Sequence, residues 1–318
     1  HVLHAHALLK SNASPRPLLC VAPTASTFQY PVLRMDLLGM TPCACCASTS
    51  LFLTAAVVVS SLYISRKIVE GLFPRSRWVK SSFKYISIIV SVLVALVAVA
   101  FGTLATNEPL RKFFFSKLIE SMSAYPNPMD ELRCKNIRNL SGRVLEIGPG
   151  PGTNFRCWQD HTEITEWVGV EPNENFRINE TAASMNVTFP VRTVWLRGED
   201  VDVLAESFDF VVGSHVLCSV GDVDQVLRQV RRALKPGGTY FFTEHVQAPH
   251  GLLRRAQQIL EPFFFVLANG CTFRPLWESL SEETGLRGFQ VHLEFLDAPM
   301  PIPFFVPHVS GWAVKYYV

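Results

Sequence analysis

The sequence predicts an α/β fold: a mostly parallel sheet with helices on both faces, preceded by an N-terminal transmembrane anchor. Three observations predict it. From about residue 130, short apolar runs alternate with helical stretches, the pattern of parallel strands joined by helices. Ile86 to Ala105 carries no charge. A glycine-rich turn, Gly148 to Gly152, closes the first apolar run of the alternating region, at the end of the strands where such sheets take their ligands.

Composition agrees. A chain of 318 residues suits an anchor plus one soluble domain. Hydrophobic residues make up 48% and charged residues 18%, the latter well under the roughly 25% of soluble domains. Mean hydropathy is +0.21. The net charge of +2, without a basic face or arm, excludes nucleic acid as an expected partner. The sequence does not fix an oligomeric state.

Residues 1–42 read as an unstructured leader, a candidate for absence from the mature protein. Residues 1–34 lack periodicity, and Met35 is a candidate start. The anchor is expected over 43–106. Its firm element is 86–105, twenty uncharged residues, at a helical rise about 30 Å long and enough to span the hydrocarbon core. Cys43 to Ile64 is a second candidate span, weaker for its Ser, Thr and Ala. Residues 107–130 read as a linker, and 131–318 as the soluble domain.

Between the two apolar runs lie Arg66, Lys67, Arg75, Arg77, Lys80 and Lys84 against the single acid Glu70. The positive-inside rule keeps that segment cytosolic and sends the soluble domain across. Arg111, Lys112 and Lys117 argue weakly the other way. Three sequons, at Asn139, Asn179 and Asn186, would report a lumenal domain by carrying glycans.

Eight cysteines are scattered, which argues against a disulfide framework. The four in the soluble part, Cys134, Cys157, Cys218 and Cys271, read as reduced thiols, and Cys218 as a buried residue rather than a nucleophile. Cys43-Ala-Cys45-Cys46 is either unmodified or S-acylated. No metal site is expected, because no further Cys or His follows that cluster at ligand spacing.

Strands are read at Arg143–Ile147, Glu166–Val170, Val191–Leu196, Phe208–Gly213, Thr239–His245, Gly288–Leu296 and Val309–Tyr317. Helices fall near 153–160, 174–185, 222–234, 251–268 and 275–284. The first strand ends in Glu146-Ile-Gly148-Pro-Gly150-Pro-Gly152-Thr-Asn154. A dinucleotide loop would read G-x-G-x-x-G and offer its N–H groups to a pyrophosphate. Here Thr153 stands at the third glycine's place, and Pro149 and Pro151 have no N–H to give. With Glu146 just upstream, the loop suits a cation better than an anion. S-adenosylmethionine, with an ammonium, a sulfonium and no phosphate, fits; an ordinary tight turn is the plain alternative.

Glu171 ends the second strand, where a carboxylate can accept from both ribose hydroxyls or merely start a helix. Gly198-Glu199 after the third strand can hold an adenine edge or cap a helix. Ser214 and His215 end the fourth strand, and Glu244-His245 the fifth. Lys235-Pro-Gly-Gly238 reads as a helix stop and turn. Pro262–Val266 and Pro299–Val306 are apolar patches suited to a greasy pocket, a bilayer interface or plain packing.

Taken together, Glu146 to Gly152, Glu171, Phe208-Asp-Phe-Val-Val and Leu234-Lys-Pro-Gly-Gly238 resemble the class I S-adenosylmethionine-dependent methyltransferases. Val216-Leu-Cys-Ser-Val220, Glu244-His-Val246, Asn269-Gly-Cys271, Trp277 and Pro307 to Lys315 are similar to one subgroup, the membrane-anchored methyltransferase-like proteins that act as alkyl thiol methyltransferases. The resemblance covers residues 128–318. It departs at Pro149, at Glu171 in place of Asp, and at Ser214-His215 in place of a Thr-Leu-like pair.

The resemblance implies a Rossmann-like sheet of seven strands, the last antiparallel. It also implies methyl transfer from S-adenosyl-L-methionine to a small apolar acceptor, an alkyl thiol first. Glu146, Gly148, Gly150, Gly152, Glu171, Gly198, Glu199 and Ser214 are the expected cofactor residues. His245 and His215 are the expected catalytic bases, each with a structural alternative, and His308 is expected at a turn. The lipid bilayer is the other expected partner. The expected site is the endoplasmic reticulum or a lipid droplet, the domain facing the cytosol where the methyl donor is made. Rival readings are a lipid or quinone O- or C-methyltransferase and a non-catalytic membrane scaffold. An NAD-dependent oxidoreductase is disfavoured by the loop prolines.

Overall fold

The computed structural model describes residues 59–72, 76–159 and 163–317. Helix α1 covers 59–72. The candidate span 43–64 therefore lies outside the described residues up to 58, as do the leader and the Cys43–Cys46 cluster. Helix α2, Arg77–Thr106, contains the whole uncharged run and is capped by the Ser76 side chain. It is the one helix among the described residues long and apolar enough to cross a membrane. Ile88, Ile89, Val92, Leu93, Leu96 and Val97 stand exposed along it.

Two further helices follow, α3 at Glu108–Ser123 and α4 at Pro128–Ile137. Both start on an Asn–x–Pro or Asn–Pro step, with the Asn107 and Asn127 side chains accepting from backbone N–H groups of the first turn. The stretch read as a linker is thus largely helical. Its apolar residues, Leu110, Phe113 to Phe115, Leu118, Ile119 and Met122, spread around the helix instead of marking one face, so periodicity gives little sign of α3.

The sheet has seven strands: β1 Gly142–Ile147, β2 Ile164–Val170, β3 Val191–Val194, β4 Phe208–Ser214, β5 Leu234–His245, β6 Phe289–Asp297 and β7 Pro307–Lys315. Their spatial order is β3-β2-β1-β4-β5-β7-β6. The first five are parallel, and β7 slots between β5 and β6 antiparallel to both. Strand order reverses between β1 and β4, and ligands of open α/β sheets bind beyond that point. His308, expected at a turn, instead pairs with His245 across β5 and β7.

Alternation along β1 sends Leu145 and Ile147 to one layer and Val144 to the other. The first layer takes Val226, Leu227 and Val230 of α6 (Val223–Ala233) and Leu276 of α8 (Leu276–Ser279). The second takes Ile137 of α4 and Ala182 of α5 (Ile178–Ser184). Helices therefore cover both faces. The start of β5 also departs from expectation. Leu234 opposes Phe208 and Thr239 opposes Phe210, so Lys235 to Gly238 form a bulge inside the strand rather than a free turn.

One expectation about cysteine is overturned. Cys134 and Cys157 are joined in a disulfide, leaving Cys218 and Cys271 free among the described residues. The bond links α4 to the short 3-10 helix Thr153–Trp158. Only the packing of those two elements, with their Cα atoms 5.1 Å apart, brings the pair together. A spacing of 23 residues carries no sign of it.

Candidate active site

The Gly-Pro-Gly-Pro-Gly turn lies at the reversal point. Gly148, Gly150 and Gly152 all have φ between +56° and +85°, a region that costs other L-residues steric strain. At Gly148 the need is doubled, because a Cβ would collide with the Val216 side chain. The prolines fix the residues between, and one N–H that remains, that of Gly150, donates to Glu171 Oε2 at 3.0 Å. Glu171 Oε1 accepts from the Asn173 N–H at 2.9 Å. The acid at the end of β2 is therefore tied to the loop at the end of β1.

Glu171 is only 6% exposed. Burial pushes its carboxyl up to about 7, against two backbone hydrogen bonds that pull the other way. Glu146, 2% exposed, is likewise raised to about 7 by burial. Its two oxygens accept from Asn154 Nδ2 at 2.9 Å and Trp167 Nε1 at 3.0 Å. Asn154 Nδ2 also reaches Ser214 Oγ at 3.3 Å, joining β1 and β4. Its Oδ1 is buried without a partner, so a hydrogen-bond acceptor stands unused inside the cluster. Asn154 was legible as the residue closing the loop motif, yet composition gave no reason to single it out.

Gly198 and Glu199 lie where β3 ends. Glu199 Oε1 accepts from the N–H groups of Gly221 at 2.6 Å and Asp222 at 3.3 Å, just ahead of α6. One oxygen is therefore committed to shaping the loop after β4. Helix α3 closes the same end from outside, with the Lys112 carbonyl accepting from Asn173 Nδ2 at 3.0 Å.

A second cluster lies beyond β4 and β5. His215 has φ +56°, uncommon for a residue with a side chain and a strain found at functional sites. Its Nε2 is 2.9 Å from His308 Nε2. His308 Nδ1 lies 3.1 Å from the Val306 carbonyl, which can only accept, so that nitrogen carries a hydrogen. Burial lowers His308 to about 4, so its ring is neutral near pH 7, its Nε2 accepts, and His215 Nε2 donates. Burial and the adjacent His308 and His245 hold His215 well below the usual histidine range. His215 is thus a poor proton acceptor at neutral pH.

His245 is 4% exposed. Its Nε2 is 3.0 Å from Cys271 Sγ, and its Nδ1 has no partner. The neighbouring Glu244 clamps the loop after β4, with Oε1 accepting from the Val216 and Leu217 N–H groups at 3.0 and 3.1 Å. Phe273 and Phe305 pack edge-on to the His245 ring at 5.6 and 5.1 Å between centroids. Phe264 of α7 (Gly251–Leu267) packs on Phe305 at 4.8 Å. Next along α7, Phe263 meets Phe101 of α2 at 5.5 Å. The two apolar patches read from sequence thus meet as one aromatic wall between the apolar helix α2 and His245.

A family model for a methyltransferase domain matches residues 118–290. Human thiol S-methyltransferase TMT1A is 34% identical over 219 residues, 64% of this chain and 87% of that protein. Human thiol S-methyltransferase TMT1B is 33% identical over 223 residues, 65% of this chain and 88% of that one. A solved S-adenosylmethionine-dependent methyltransferase of Thermotoga maritima is 22% identical, covers 64% of this chain and 98% of its own, and has a TM-score of 0.45. With a methyltransferase model over more than half its length, and relatives that it matches almost end to end, this chain belongs to the S-adenosylmethionine-dependent methyltransferases.

Proposed function

We propose that the protein methylates small apolar thiols that reach it from a membrane. The carrying observation is the aromatic wall running from Phe101 of α2 through Phe263 and Phe264 to Phe305 and His245. Such a wall offers an apolar molecule low-polarity surface both beside the anchor and beside His245. The thiol S-methyltransferases among the relatives support the choice of acceptor.

In this reading Gly148, Gly150 and Gly152 seat the cofactor's amino-acid end, with Glu146 and Ser214 holding Asn154 toward its ammonium. Glu171 accepts from the ribose hydroxyls, and Gly198 and Glu199 frame the adenine. The methyl donor supplies the chemical drive, and the protein supplies position and electrostatics. A thiol needs modest help to become the nucleophilic thiolate. The unpartnered Nδ1 of His245 is the ring nitrogen free to accept its proton. His215, already donating to His308, orients the acceptor.

Helix α2 serves as the transmembrane anchor, in the endoplasmic reticulum or a lipid droplet, and residues 131–318 with α3 form the catalytic domain. The cytosolic source of the cofactor favours a cytosolic face. The disulfide, which persists in oxidising compartments, favours the far side, and the exposed sequon residues Asn139, Asn179 and Asn186 would carry glycans there. Endoglycosidase treatment of the cellular protein separates the two: a mobility shift assigns the far side, and none the cytosol.

Activity is tested with labelled methyl donor and panels of alkyl thiols, phenols and lipids. Turnover is expected with thiols, rising with chain length. Turnover of phenols or lipids alone would overturn the acceptor.

A further inference from the structure

Cys218, His245 and Cys271 come from three separate segments: the turn after β4, the end of β5 and the loop after α7. Their donor atoms nevertheless lie within 4.8 Å of one another. All three are buried, with exposures of 2%, 4% and 6% in chain order. The segments are fastened together. The Cys218 carbonyl accepts from the Thr272 N–H at 3.0 Å and from Thr272 Oγ1 at 2.9 Å. Arg274 donates to the carbonyls of Leu217 and Val220 at 3.3 and 2.6 Å. The donor atoms are therefore held in place by backbone contacts on both sides of Cys218 and next to Cys271.

We propose that these three side chains bind a thiophilic divalent cation, zinc by its donor set. Two thiolates and an imidazole are soft and borderline ligands that suit zinc and disfavour magnesium or calcium. His245 Nε2, the nitrogen facing Cys271 Sγ, is the ligand atom, which leaves Nδ1 to carry the hydrogen. No fourth Cys, His, Asp or Glu among the described residues joins the group. Three protein ligands with a fourth position open is the pattern of catalytic rather than closed structural zinc.

The three donors lie beyond the carboxyl ends of β4 and β5, and Phe273 and Phe305 pack against the His245 ring. This part rests on the thiol reading above: the fourth ligand is the sulfur of the acceptor. On binding, the S–H bond breaks, the sulfur keeps the electron pair and coordinates the metal as thiolate, and the proton leaves to solvent. Coordination of a thiol to a divalent metal deprotonates it outright. Loaded with metal, His245 is a ligand, and activation of the acceptor passes from its Nδ1 to the ion. The spacings of 27 and 26 residues between the ligands explain why no local Cys–His motif announced the site.

The test uses full-length protein in detergent, purified without chelator. Metal analysis should find about one zinc per chain, and cobalt(II) exchanged into the site should show a thiolate charge-transfer band that shifts when an alkyl thiol is added. Cys218→Ser and Cys271→Ser should each lower zinc content at least tenfold, while Cys45→Ser, in the N-terminal cluster, leaves it unchanged. The cobalt spectrum reads the native chain, so misfolding of a variant does not decide the outcome. Less than a tenth of a zinc per chain, even after dialysis against zinc, would overturn the proposal, as would a Cys218–Cys271 disulfide in the isolated protein. Thiol methylation undiminished after complete zinc removal would keep the thiol reading and reject the metal's part in it. One bound zinc with phenols as sole acceptors would keep the metal site and reject the thiol.

Discussion

The two ends of the active site are built differently. On the proposed cofactor side, Gly148, Gly150, Gly152 and Asn154 come from one seven-residue stretch, and Glu171 follows the neighbouring strand and bonds back to Gly150. On the proposed acceptor side, His215, His245, Cys271, Phe305 and His308 come from five segments spread over 94 residues of chain. The first is a local backbone shape, fixed by positive φ at three glycines. The second is a product of tertiary packing, in which β7 inserts beside β5 and carries His308 to His245. A cofactor common to many enzymes needs a constant backbone cradle, whereas an acceptor site is remade by side chains on the same frame.

The sharpest way to break this contrast is at Gly148. Gly148→Val places a branched side chain at φ +64° against Val216. Calorimetry with S-adenosylhomocysteine should show affinity lost on the order of a hundredfold or more, given strain and steric exclusion together. Undiminished affinity would remove the turn from the cofactor site. Glu171→Ala should weaken the same titration by about ten- to a hundredfold, the worth of hydrogen bonds to a charged group.

Next in size is a pH effect. With its carboxyl raised to about 7, Glu171 is mostly protonated at pH 6 and mostly ionised at pH 8. Ribose hydroxyls donate to the ionised form, so S-adenosylhomocysteine should bind about tenfold tighter at pH 8 than at pH 6. Stability of the cofactor-free protein should move the opposite way. A carboxyl raised in the fold favours the folded state fully below its unfolded value near 4.5, and that advantage is lost as pH rises through about 7. Scanning calorimetry should find a lower Tm at pH 8 than at pH 6, with the gap narrowed in Glu171→Gln. The smallest effect belongs to the acceptor wall. Phe305→Ala should raise KM for a long-chain acceptor on the order of fivefold, through lost apolar contact, and leave cofactor affinity unchanged. A fall in cofactor affinity instead would merge the two halves that the structure separates.

That division also explains what was legible in the sequence. The strands of the sheet could be read because the central ones are apolar runs ending in turn or polar residues and β6 alternates apolar with polar residues, and the loop because its glycines and prolines are adjacent. The pairing of Cys134 with Cys157, the meeting of Cys218, His245 and Cys271, and the place of His308 in β7 could not, since each depends on which segments the fold brings together. Helix α3 escaped because its apolar residues spread around the helix instead of marking one face. Lys235 to Gly238 carried the composition of a turn, and the neighbouring β4 held it in the sheet as a bulge.

A crystal structure with S-adenosylhomocysteine measures directly where the methyl donor sits. It should show the amino-acid end against Gly148 to Gly152 and both ribose hydroxyls within hydrogen-bond distance of the Glu171 carboxylate. A fully occupied ligand lodged elsewhere, with Glu171 still bonded only to Gly150 and Asn173, would contradict that placement.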